Sequence, residues 1–207
     1  MKDVELGQHQ IIQEDVTKVA LVEGRRVKIR IHIIAYRGKL YLSKYWVALK
    51  HSAVFNPDNE ALNSQELQQQ FISQLFVQKG YRSKKEYWEK NGGFKLIAED
   101  APLRKEWTAS IAAAVTSMIP MFNPILAATE DDPYRYHVFG LDGIPREDDS
   151  VQIIEVNPFP DLRYDNGERG DRLIDGTCFK TRMLASVIRL LFEMETEIPD
   201  DLIELAA

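Results

Sequence analysis

The chain has 207 residues, is 44% hydrophobic and 28% charged, and carries a formal net charge of -6. That balance fits a soluble globular fold rather than a membrane, fibrous or disordered chain. A single cysteine, Cys178, rules out a disulfide framework or a Cys-rich zinc site, and the four histidines show no ligand spacing.

The opening text, MKDVELGQHQIIQEDV, has no basic start followed by an apolar core, so no secretory signal is expected. The longest apolar run, IAAAVTSMIPMF, is too short to span a bilayer. A cytoplasmic protein without a membrane partner is the expectation. The length suits one domain over 1–207.

Residues 10–22 read as one or two short strands, QIIQEDV and KVALV. From Val27 the text alternates, with Val27, Ile29, Ile31 and Ile33 set against Lys28, Arg30 and His32. Period two predicts a strand over 27–36 with one face in the core. Arg37-Gly38 reads as a tight turn, and KLYLSKYW returns as the partner strand over 39–46. After the loop FNPDNEALN, a helix is predicted over 64–78. Asn63 and Glu66 have the spacing of a capping box, and Gly80 ends the helix. SKKEYWEKNGG suits a short helix, and 80–100 reads as a flexible or inserted part. One long helix is predicted over 101–119, with Pro102 in its first turn, closed by Pro120 and Pro124. ATEDDP reads as a loop. Two paired strands, 134–143 and 150–157, follow, and a last helix spans 177–194. The pattern predicts an α+β fold, an antiparallel sheet flanked by helices.

Charge is unevenly spread. Residues 1–50 hold ten basic against five acidic side chains, and EGRRVKIRI gathers Arg25, Arg26, Lys28 and Arg30. No groove-reading motif accompanies this stretch, so nucleic acid is not the expected partner. A solvated strand edge and a phosphate site for a small ligand are the two other readings.

The C-terminal strand pair carries the chemistry. In SVQIIEVNPFPDL, the apolar Val151, Ile153, Ile154 and Val156 lead to Glu155 and Asn157 at the strand exit. A hairpin turning on Asp148-Asp149 sets Asp142 directly opposite Glu155, with Cβ atoms about 5 Å apart. Asn157, two residues on, shares the face. Two carboxylates so close repel unless something positive lies between them. Two charged oxygens and one neutral oxygen, without a soft ligand, suit Mg²⁺ or Mn²⁺.

FGLDGI followed by VQIIEVNPFP resembles the metal-binding hairpin of ATP-grasp enzymes, which pairs an Asp strand with a Glu-x-Asn strand. Upstream, IIQEDVTKVALVEGRRVKIRIHIIAYRGKLYLSKYW is similar to the tubulin-tyrosine-ligase-like branch, and EALN resembles its Leu-Thr-Asn. The resemblance implies the C-terminal ATP-grasp subdomain, with ATP and Mg²⁺ (or Mn²⁺) as cofactors. Asp142, Glu155 and Asn157 would then hold the metal. Arg30 would contact the ATP phosphates as the catalytic cation. Gln13, Glu14 and the backbone near Val16 would form the hinge that meets adenine. Arg26 would lie beside the nucleotide, or be a surface strand charge. Asn63 would reach the phosphates or metal, or serve only as a helix cap. Lys28 stands in the nucleotide or substrate region, where the family has an acid.

The implied activity is an ATP-dependent carboxylate–amine ligation through an acylphosphate. Its substrates would be a carboxylate and an amine, one of them a candidate protein or peptide tail. The family's first ATP subdomain normally precedes the hinge, so the expectation is the C-terminal part of a longer enzyme or a shortened relative. The alternative is a non-catalytic ATP-grasp remnant, a nucleotide-binding or protein-assembly module of the cell-division-cycle 123 type.

Overall fold

Arg37 and Gly38 both take positive φ, 48° and 71°, which is the turn that matches the twist of two flanking strands. It joins β2 (Arg25–Tyr36) to β3 (Lys39–Lys50), with Tyr36 opposite Lys39. A second such turn at Glu23-Gly24 leads from β1 (Leu21–Val22) into β2. The computed structural model describes residues 16–51, 54–56, 105–160, 162, 173–174, 177–192 and 198–205. The helix expected over 64–78, the short helix after it, the insertion at 80–100 and most of QIIQEDV lie outside the described residues.

Among the described residues the main sheet has six strands, all paired antiparallel. Its order is β5-β4-β2-β3-β8, with β1 joined to β2. Here β4 is Tyr136–Pro145, β5 Val151–Asn157 and β8 Leu202–Leu205. A small separate ladder pairs β6 (Leu173–Ile174) with β7 (Thr177–Cys178). The α+β class and the two strand pairs expected from the sequence are present. The basic strand is no solvated edge, because β2 lies between β3 and β4.

The odd residues of β2 face a core made with β3, β4 and two helices. Ile29, Ile31, Ile33, Leu42, Trp46 and Leu141 pack there with Trp107, Ile111, Val115, Phe122 and Leu126. Trp46 and Trp107 meet edge to face at 5.1 Å. Between Ile31 and Ile33, β3 carries two extra residues. An even insertion keeps Leu42 and Trp46 on the same face.

The helices differ from expectation. In place of one helix over 101–119 there are α1 (Lys105–Ser117) and α2 (Ile119–Glu130), bent by 80°. Pro120 sits in the first turn of α2, where no intrahelical N–H is needed, so it starts a helix instead of ending one. Pro124 lies inside α2, and the first half of the expected ATEDDP loop, Ala128 to Glu130, is helical. The last helix, α3 (Phe179–Leu191), begins two residues later than expected. It covers part of the opposite sheet face, where Met183 and Val187 pack on Ile34, Tyr36, Tyr41 and Val138. No single helix among the described residues is long and apolar enough to cross a membrane.

The β4–β5 hairpin turns on three residues, not two. Arg146 N–H donates to Ser150 O at 2.9 Å, Asp149 N–H to Arg146 O at 3.1 Å, and Asp149 takes φ 58°. Pro145 faces Val151, and its carbonyl points away from β5 to accept from Ala20 N–H at 2.9 Å. The pair is therefore non-hydrogen-bonded, which is where a proline costs the ladder nothing. Val151 turns its own backbone outward to Ser110 of α1. The Ser110 hydroxyl accepts from Val151 N–H at 2.9 Å and donates to Val151 O at 3.1 Å. Ser110→Ala strands both groups at a buried residue and is expected to cost about 1–2 kcal/mol. Urea unfolding checks this, and a loss below a few tenths of a kcal/mol would contradict it.

Candidate functional site

A regular strand would put Ile153, Glu155 and Asn157 on one face, so that either the acid is buried in the core or the isoleucine is exposed. The chain avoids this with a bulge. Gly143 pairs with Ile153, but Asp142 pairs with Glu155, leaving Ile154 as one extra residue on β5. Val151, Ile153 and Val156 can then all pack on the first core, and Glu155 and Asn157 fall on the other face. The bulge also restores the register that the three-residue turn shifts by one. Asp142 stands opposite Glu155 as expected, although the turn assumed for it is wrong.

Asp142 is 1% exposed and is also opposite Arg30 on β2. Arg30 reaches it through two donors, Nε to Oδ1 and an Nη to Oδ2 at 2.9 Å. Lys28 adds a third, with Nζ 2.6 Å from Oδ2. The positive charge required between the two acids is thus supplied by side chains of β2. Burial alone would raise the Asp142 carboxyl above its usual range. The hydrogen bond from Arg30 and the charges of Lys28 and Arg30 outweigh it and hold the carboxyl below that range. Arg30 mirrors this. Burial opposes its charge, but the hydrogen bond and charge of Asp142, with the charge of Glu155, hold its proton more firmly than usual.

Glu155 is exposed. Asn157 pairs with Gly140, and its Oδ1 accepts from Phe159 N–H at 2.9 Å in a local turn. Gly140 was not singled out in the sequence. A Cβ there would meet Pro160 at 3.1 Å and Arg30 at 3.3 Å, so its bare backbone is the bed on which the Arg30 side chain lies. A glycine two residues before a strand carboxylate is the signal that points to it.

Five of the expected residues, Lys28, Arg30, Asp142, Glu155 and Asn157, come together at one end of the second sheet face. Arg26 and Val16 meet one another, with an Arg26 Nη donating to Val16 O at 3.1 Å. Arg26 is 3% exposed and its guanidinium lies 4.5 Å from the Phe55 ring centre, so it is not a surface strand charge. Gln13, Glu14 and Asn63 lie outside the described residues.

Asp142, Glu155 and Asn157 are the donors that the hairpin offers a divalent ion. No group of three His, Cys, Asp or Glu side chains gathers among the described residues. The set is two carboxylates and an amide oxygen, all hard donors. A carboxylate accepts about four hydrogen bonds, and Asp142 accepts three. One of these comes from a mobile type of cation, an ammonium on a four-carbon stem. The donors fit a hard cation, provided Lys28 yields its place. No protein-family model matches this chain, and no curated protein matches it.

Proposed function

We propose that the chain supplies the metal- and phosphate-binding part of an ATP-dependent carboxylate–amine ligase of the ATP-grasp, tubulin-tyrosine-ligase-like type. The observation that carries this reading is the opposition of Asp142 and Glu155 across the β4–β5 ladder, with Arg30 on the neighbouring strand. In the proposed reaction a substrate carboxylate oxygen attacks the γ-phosphorus of ATP and ADP leaves. An amine then attacks the acylphosphate carbonyl, phosphate departs, and the amine loses a proton to give the amide. Asp142, Glu155 and Asn157 would hold Mg²⁺ or Mn²⁺. When bound, that ion would neutralise charge on the polyphosphate. Arg30, with a planar fork of donors and a firmly held proton, would orient the transferred phosphoryl group. Asp142 fixes that fork and Gly140 gives it room.

A second reading is favoured by the ion pairs at Asp142. With both oxygens already engaged by cations, the domain can be a non-catalytic nucleotide-binding or protein-assembly module. Isothermal titration of ATP and AMP tests the first reading. ATP is expected to bind well only with Mg²⁺ or Mn²⁺, and Glu155→Gln to abolish that metal-dependent binding. Arg30→Ala is expected to weaken ATP more than AMP. Equal losses for both nucleotides would remove Arg30 from the phosphates, and normal metal–ATP binding by Glu155→Gln would remove the metal site.

A further inference from the structure

We infer that Lys28 is a resident counter-cation, which leaves Asp142 only when a divalent ion enters together with a polyphosphate. This rests on the metal reading above. The Lys28 ammonium is 2.6 Å from Asp142 Oδ2, on the carboxylate that would ligate the ion. Its side chain is 19% exposed, so it has a way out towards solvent, whereas Asp142 is 1% exposed and stays in place. Arg30 holds Asp142 through two donors in a rigid fork, and Lys28 holds it through one donor on a flexible stem. Lys28 is the group that yields.

Charge balance gives the direction. Lys28 and Arg30 offset Asp142 and Glu155, so the described site is neutral before anything binds. A lone divalent ion adds uncompensated positive charge beside two cations, which is unfavourable in a site only partly open to water. A divalent ion bound to a polyphosphate brings its own negative charge. The freed ammonium then takes a phosphate oxygen in place of Asp142. Metal and nucleotide therefore promote each other's binding, and the coupling runs through Lys28.

The experiment is a titration of Mn²⁺ into the full chain, with and without ATP, read by the paramagnetic resonance of free Mn²⁺ and corrected for the Mn²⁺–ATP formed in a protein-free control. Wild type is expected to bind Mn²⁺ weakly alone and much more tightly with ATP. Lys28→Met should bind Mn²⁺ alone at least about tenfold more tightly, the effect on a divalent ion of losing a like charge about 6 Å away even at the dielectric of water. Its gain from ATP should shrink by a similar factor. Lys28→Gln, which keeps a polar end group, should behave the same way, and circular dichroism checks that both variants are folded. Unchanged or weaker Mn²⁺ binding in both folded variants overturns the role of Lys28. If ATP-promoted Mn²⁺ binding persists in Glu155→Gln, or is absent from wild type, the metal reading falls and this inference falls with it.

Discussion

Asp142→Asn is expected to lower stability by about 2–3 kcal/mol at pH 7. Breaking a buried ion pair usually costs about 3–5 kcal/mol, because the remaining charges lose their partner. Here the partners, Lys28 and Arg30, are 19% and 22% exposed, so water screens part of the loss. The amide keeps one acceptor oxygen and the side-chain volume, which separates charge from packing. The pH dependence gives the sign. In the folded protein the Asp142 carboxyl titrates below its usual range, whereas in the unfolded chain it titrates near about 4. Its stabilisation is therefore complete above the unfolded value and is lost as pH falls through the folded one. Wild type and variant should differ most at neutral pH and converge in acid. Urea unfolding from neutral pH to about 2.5 measures this. A gap that does not narrow in acid, or no gap at pH 7, would show that the cations do not stabilise the carboxylate.

The largest loss is expected from Ile31→Ala, at about 3–4 kcal/mol. Ile31 is fully buried on the central strand, opposite Trp46 on one side and Leu141 on the other. Truncation removes the burial of three carbons and leaves a cavity between two sheet neighbours and the helices above them, which the paired backbones hold open. The control is Ile188→Ala on α3, where the isoleucine is 50% exposed and the loss should stay within about 0.5 kcal/mol. Comparable losses at the two positions would mean that the first sheet face is not the main core.

The resident cation has a consequence for the unliganded protein. The two carboxylates facing each other across β4 and β5 do not store a repulsion that a metal must relieve. Asp142 is already compensated, and the charge of Glu155 acts on Arg30 as well. Removing Lys28 or Arg30 is what would restore the repulsion between the acids. Divalent ions are thus expected to stabilise the wild-type fold less than they stabilise Lys28→Met.

The sequence by itself determined two hairpins, β2–β3 and β4–β5, but neither the strand order nor β8. Alternation of period two from Val27 to Ile33 sorts the residues of β2 onto two faces, although the second face is covered as well, with His32 1% exposed. Arg37-Gly38 accepts positive φ and so fixes the β2–β3 hairpin. Both signals are local, needing only neighbouring residues to be read. The opposition of Asp142 and Glu155 was legible too, but through a two-residue turn that the chain does not make. Only the tertiary structure decided the three-residue turn and the extra residue at Ile154, because a bulge reflects which side chains the two faces of the sheet will accept. It alone decided that Pro120 begins a helix. A proline lacks the N–H that the first turn does not need, and the same residue reads as a stop when the corner after Ser117 is unknown. The charge partners of Asp142 were the least legible feature. Lys28 and Arg30 are 114 and 112 residues away in sequence, and nothing local to either end records that β2 lies beside β4. The strand order of the sheet brings them together, and that order follows from how all its strands share two faces.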